Sequence, residues 1–151
     1  MIVAKMLHVL AAIVWVGGMF FAYVCLRAAA GPLAPPERQQ LWARTFERFF
    51  RWVWAAVVLL PLTGTWMIVH GLGGYGAAGF GVHAMQAIGG LMILIFLHLY
   101  FAPYRRFKAA LAAGDTPAAG AALDKIRTIV GLNLVLGLGT AAIAAGARYW
   151  G

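Results

Sequence analysis

Long apolar stretches alternate with short polar ones along the chain. Runs of Ala, Val, Leu, Ile, Met, Phe and Trp, broken mainly by isolated Gly, Thr or His, occupy residues 2–29, 52–71, 83–102 and 126–147. Each matches or exceeds the roughly 20 residues with which a helix crosses about 30 Å of hydrocarbon. Residues 31–36, the glycine-rich 71–81 and the polar 104–125, with Gly114-Asp115-Thr116-Pro117, carry turn and helix-stop residues and read as connections. The pattern predicts an all-α integral membrane protein, a single domain over 1–151 whose four spans form an antiparallel up-down bundle. Residues 35–51 mix Leu41, Trp42, Phe46, Phe49 and Phe50 with Arg44, Glu47, Arg48 and Arg51. That is the pattern of a short interfacial amphipathic helix on the inner leaflet, running into the second span. Its arginines are alternatively a cluster for carboxylates or phosphates of a ligand.

Composition agrees with a membrane protein: 64% of residues are hydrophobic and 11% charged, where a soluble domain carries about 25% charged residues. The first connection and its flanks hold Arg27, Arg38, Arg44, Arg48 and Arg51, and the third holds Arg105, Arg106, Lys108, Lys125 and Arg127. The second holds none, and Lys5 and Arg148 stand near the two ends. The positive-inside rule then predicts a multi-pass protein of the bacterial inner membrane with both termini periplasmic. This asymmetry, together with anionic lipid, accounts for the net charge of +8 without a nucleic-acid partner. Lys5 and Ala28-Ala29-Ala30 resemble parts of a signal peptide. The apolar run over 6–26 is long for one and ends in Arg27, so a retained helix is expected. Cys25 is the single cysteine, which excludes an internal disulfide. Gly-x-x-x-small pairs such as Gly18 with Ala22 and Gly73 with Ala77 suit close helix contacts, within the bundle or in a homodimer.

Candidate chemistry rests on histidines, which are costly in lipid unless they hold a metal, a cofactor or a proton. At 1.5 Å per residue His8 lies about 9 Å below the outer end of the first span, while His70 ends the second and His83 starts the third. These three are expected at a similar outer level. His98, about 22 Å deeper, is expected near the inner face, beside Asn133 or as an inner ligand or proton relay. Small residues follow His8 (Ala11, Ala12, Gly18) and His83 (Ala87, Gly90), which suits close helix packing or a flat macrocycle between helices. Imidazoles paired across helices suit haem iron, with His8 and His83 as axial ligands, His70 as an alternative ligand or gate, and Trp15 and Trp66 as walls. Imidazole also suits copper or zinc, with thioethers from Met19, Met67 or Met85 for Cu(I). Glu37, Glu47, Asp115 and Asp124 all fall in inner connections, which argues against dicarboxylate metal sites and carboxylate acid–base pairs.

Lys5-Met6-Leu7-His8 followed by Trp15-Val16-Gly17-Gly18-Met19-Phe20 resembles the CopD-like superfamily of small membrane proteins and its HemJ-type protoporphyrinogen oxidase branch. Gly64-Thr65-Trp66 is similar to that family's Gly-x-Trp. Gly81-Val82-His83-Ala84 through His98, then Tyr104-Arg105-Arg106-Phe107-Lys108 and Gly114-Asp115, resemble its third helix and following loop. Asn133 falls near an asparagine of its fourth helix. The resemblance covers nearly the whole chain. It implies a four-helix bundle that binds haem b, with His8, His83 and His98 as the matching histidines. A lysine important to the oxidase branch is replaced here by Met85, which weakens the enzymatic expectation. The function expected is haem-based electron transfer between a reduced small molecule or quinol and a membrane partner. Porphyrinogen oxidation and copper binding or import are the alternatives.

Overall fold

The computed structural model describes residues 1–146; Ala147, the predicted end of the fourth span, and Arg148 lie outside the described residues. Among the described residues there are five helices: α1 (Ile2–Ala29), α2 (Pro35–Gly71), α3 (Phe80–Phe101), α4 (Pro103–Ala112) and α5 (Thr116–Gly146). Four of them, α1, α2, α3 and α5, are long and apolar enough to span a membrane, and they run alternately down and up. α1 packs mainly on α2 and α3 mainly on α5, while α4 caps α5 at the arginine-rich end.

Local chemistry sets the boundaries. Pro35 and Pro36 occupy the first turn of α2, where a missing N–H costs nothing. Gly73 and Gly74 take positive φ after it, and the Gly74 N–H bonds back to the Ile68 carbonyl at 2.9 Å, closing the helix end. Pro103 starts α4 and ends α3 just before it. The Asp115 carboxylate accepts the Ala118 N–H at 2.9 Å and caps α5.

Two expectations change. The amphipathic segment runs into the second span as expected, as the first half of α2, but its apolar face meets protein and not the leaflet. Its Trp42, Phe46 and Phe50, each four residues apart, are buried in protein. Nor is 104–125 simply a connection: it holds α4, one tight turn at Gly114, and the first turns of α5. Both long helices exceed about 45 Å at 1.5 Å per residue, so they project beyond the hydrocarbon.

Burial is inverted at one end relative to the other. Over the spans, large apolar side chains point outward, among them Leu10 and Ile13 of α1, Val58 and Leu62 of α2, Leu94 of α3 and Val135 of α5. Such a surface fits lipid. At the arginine-rich end, Trp42, Phe46 and Phe50 meet Tyr104 and Phe107 of α4 and Leu123 and Ile126 of α5 in one core. Rings there stack or meet edge-on, Phe46 on Phe50 at 5.1 Å and Phe50 on Tyr104 at 4.9 Å.

The small residues of α1 are used for packing. Phe49 of α2 fills the notch at Gly18, where a Cβ would overlap the ring. A ring has little room to yield. Gly18→Ala is therefore expected to destabilise the protein by about 1–3 kcal/mol through overpacking, read as a lower melting temperature in detergent. Gly17, one residue away with open space beside it, is the control: Gly17→Ala should leave melting unchanged or raise it slightly.

Candidate metal centre

His8 is half-buried on the face of α1 that meets α2, and its Nδ1 lies 2.9 Å from Thr63 Oγ1. Thr63 follows Pro61, which has no N–H to give the helix ladder. The Thr63 hydroxyl donates its one proton to the Leu59 carbonyl, a turn back along α2. Toward the imidazole it can then only accept, so the hydrogen-bond pattern assigns the His8 proton to Nδ1. Nε2 is left with a free lone pair. A second partner that orients one ring nitrogen and frees the other is the usual arrangement around a metal-ligating histidine.

The surrounding seam is narrow and soft. Gly64 lets the ring approach α2: a Cβ there would meet His8 Cε1 at 3.3 Å. Two turns outward, the Met1 side chain lies against Gly71. Met67 falls between these glycines at helical spacing, on the face of α2 that carries both contacts, and is partly buried. The His8 imidazole and the Met1 thioether thus border the outer end of the α1–α2 seam, with Met67 at helical spacing between their two glycine contacts. Among the described residues no three His, Cys, Asp or Glu side chains come together. Neutral nitrogen and sulfur donors without a carboxylate suit a soft monovalent ion over a hard divalent one.

The expected pairing of His8 with His83 is not formed. Trp15 of α1 meets Phe96 of α3 edge-on at 6.3 Å, which fixes the relative height of the two helices. His8 lies seven residues above that level and His83 thirteen, an offset of about 9 Å. His8 faces α2, whereas His83 is exposed with its ring 6.4 Å from Tyr75. The two axial nitrogens that a bis-histidine haem needs do not converge, so the histidines do not fit that ligation. Nor do the small residues below His83 form a slot: Ala87 and Gly90 are exposed, and a Cβ on Gly90 would meet nothing.

The other expected residues disperse as well. His70 is exposed, its Nδ1–H donating to the Trp66 carbonyl at 3.2 Å and its ring stacked on Trp66 at 4.1 Å. This pair lines a shallow open groove with Pro61 and Val69 on the outside of α2. Trp66 is therefore a surface ring, and Trp15 is a core ring packed on Phe96; neither walls a common site. His98 is exposed and does not meet Asn133. The Asn133 amide donates to the Met92 carbonyl at 3.2 Å, six residues and about 9 Å above His98. Met19 is buried in the core, and Met85 is on α3, away from the seam. In the outer connection the Gln86 amide donates to the Tyr75 hydroxyl at 3.0 Å and holds that phenol below its ordinary pKa.

Thr63 and Met1 were absent from the residues expected to form a site. A hydroxyl beside a proline in an apolar run reads as a tolerated polar residue. The one available signal was that Thr63 and Gly64 offer an acceptor and a gap on consecutive residues.

Residues 43–147 match the family model described as copper resistance protein D, CopD. The match covers most of α2 and all of α3 and α4, with the described part of α5, and begins after α1 and His8. No curated protein and no solved structure matches the chain.

Proposed function

The chain belongs to the CopD family, and from that membership we propose that it is a copper-handling protein of the bacterial inner membrane that takes Cu(I) as its substrate. The reading is carried by one observation: Thr63 holds His8 Nδ1, which leaves Nε2 as the free nitrogen on a seam where the Met1 side chain also lies and Met67 stands at helical spacing between Gly64 and Gly71. Ten of the twelve basic residues stand at the opposite end, which supports placing that end in the cytoplasm and the seam on the periplasmic side. All four carboxylates share the basic end, so the seam would receive a dehydrated soft cation with neutral ligands alone.

Purified protein titrated with Cu(I) against a chromophoric chelator tests this. One Cu(I) per chain, with mixed nitrogen and sulfur scattering in X-ray absorption, is the expected result. Protein that fails to compete for copper overturns the proposal, as does protein that carries iron and a Soret band, which would return the haem reading. Thr63→Val keeps the side-chain volume but removes the acceptor that orients the ring. It is expected to weaken Cu(I) binding by about 10- to 100-fold with little change in helicity by circular dichroism.

A further inference from the structure

We propose that the arginine-rich end holds a binding site for a phosphate group, built from Arg27, Arg38 and Arg127 around the indole of Trp42. Three helices contribute: Arg27 ends α1, Arg38 is in the first turns of α2 and Arg127 is on α5. Arg27 and Arg127 line one narrow gap together with Trp42, and Arg38 is close enough that both it and Arg27 repel the Arg127 guanidinium. Cations converge there with little to balance them. Asp124 accepts from Arg127 at 3.2 Å and is largely exposed, and this is the one ion pair among the described residues.

The buried donors give the independent sign of a ligand. Trp42 is 2% exposed, yet its Nε1–H has no partner, and the buried Nε of Arg127 has none either. The Arg127 guanidinium stands 5.4 Å from the Trp42 ring centre. Leaving buried donors unsatisfied is costly, and two of them beside a cationic gap call for an acceptor that carries negative charge. The gap itself has room for about one water-sized group, which suits a single phosphate oxygen with the rest of the group among the arginine heads.

Backbone geometry directs side chains to this place. Residues Phe21–Leu26 of α1 form a π-helical turn, one residue wider than the α-helix on either side. It carries Ala22 and Tyr23 into the lining of the gap, and Tyr23 reaches the notch at Gly131 of α5, where a Cβ would meet its ring. Arg27 lies over the Tyr23 ring at 5.3 Å. Below the arginines the lining is apolar, from Ala22, Phe46, Phe49 and Val130. A charged mouth over an apolar wall at the level of the lipid headgroups favours the phosphodiester of an anionic lipid over a soluble phosphate.

The full-length protein, purified in detergent, tests the source and the residues together. Native mass spectrometry after mixing with phosphatidylglycerol is expected to show one tightly retained lipid. Phosphatidylglycerol nanodiscs should raise the melting temperature above that in phosphatidylcholine alone. The double variant Arg27→Gln/Arg127→Gln should lose retention by about tenfold or more, and Trp42→Phe, which keeps the ring and removes the N–H, should lose part of it. Arg105→Gln/Arg106→Gln removes equal charge from the exposed face of α4 and should retain the lipid fully. If the first double variant fails to fold, Arg38→Gln takes its place with the same expectation. Saturable stabilisation by inorganic phosphate in lipid-free micelles, beyond chloride at equal ionic strength, would keep the site and assign it to soluble phosphate. Equal loss in the α4 variant, or no response of the wild type to either phosphate source, overturns the proposal.

Discussion

Replacing His8 with alanine should lower Cu(I) affinity by a hundredfold or more, while His70→Ala, His83→Ala and His98→Ala leave it unchanged. The contrast follows from geometry. His8 alone among the four faces a neighbouring span, with one nitrogen held by Thr63 and the other free. The remaining three are exposed, and His70 spends its Nδ1–H on its own helix. Removing the imidazole leaves two thioethers, which bind Cu(I) weakly without a nitrogen donor. His8→Met separates ligation from simple packing: a third thioether should restore part of the affinity and shift the X-ray absorption signal toward sulfur. Chelator competition measures all of these variants. Equal losses in His8→Ala and His83→Ala would mean that the seam is not the binding site.

Phe46→Ala should cost about 3–5 kcal/mol, the largest stability loss for a single truncation in this protein. The Phe46 ring is 2% exposed and touches Trp42, Phe50, Tyr104 and Phe107 at centroid distances from 5.1 to 6.2 Å. The solvent at this depth decides the size of the effect. Arg44, Glu47, Arg48 and Arg51 are exposed on the same turns of α2, so this core borders headgroups and water instead of acyl chains. Burial there draws on the hydrophobic effect, which is nearly absent between helices surrounded by lipid. Trp66→Ala, at a side chain 53% exposed beside lipid, should shift melting far less. Thermal unfolding of the two variants in one detergent makes the comparison.

How far the sequence could be read follows the same physics. The first span, residues 2–29, agrees with α1 at both ends, and the third, 83–102, agrees with α3 to within three residues. α2 and α5 continue 17 and 10 residues past the inner ends of the second and fourth expected spans, α2 through the expected amphipathic helix. Hydropathy drops where charge appears, at Arg44–Arg51 and at Asp124–Arg127, although the helix continues because its other face still has a core to join. His8 could be singled out because an imidazole inside an apolar run needs a partner. The partner could not be found that way. Depths counted from span ends assume that all helices start level, whereas side-chain packing sets their heights, and the Trp15–Phe96 contact displaces α3 relative to α1. Asn133 was placed beside His98 by the same reasoning and meets Met92 instead.

The wide turn at Phe21–Leu26 divides α1 into two angular frames. Above it, side chains are aimed by a count that starts at His8; below it, Arg27 obeys a count that is one residue ahead. A single-residue deletion inside the turn would tighten it to ordinary α-helix and leave both frames facing as they do, whereas a deletion elsewhere between His8 and Arg27 would swing Arg27 by about 100° relative to His8 and away from Trp42. Single-residue deletions among homologous chains should therefore collect at these six positions more than in the rest of α1.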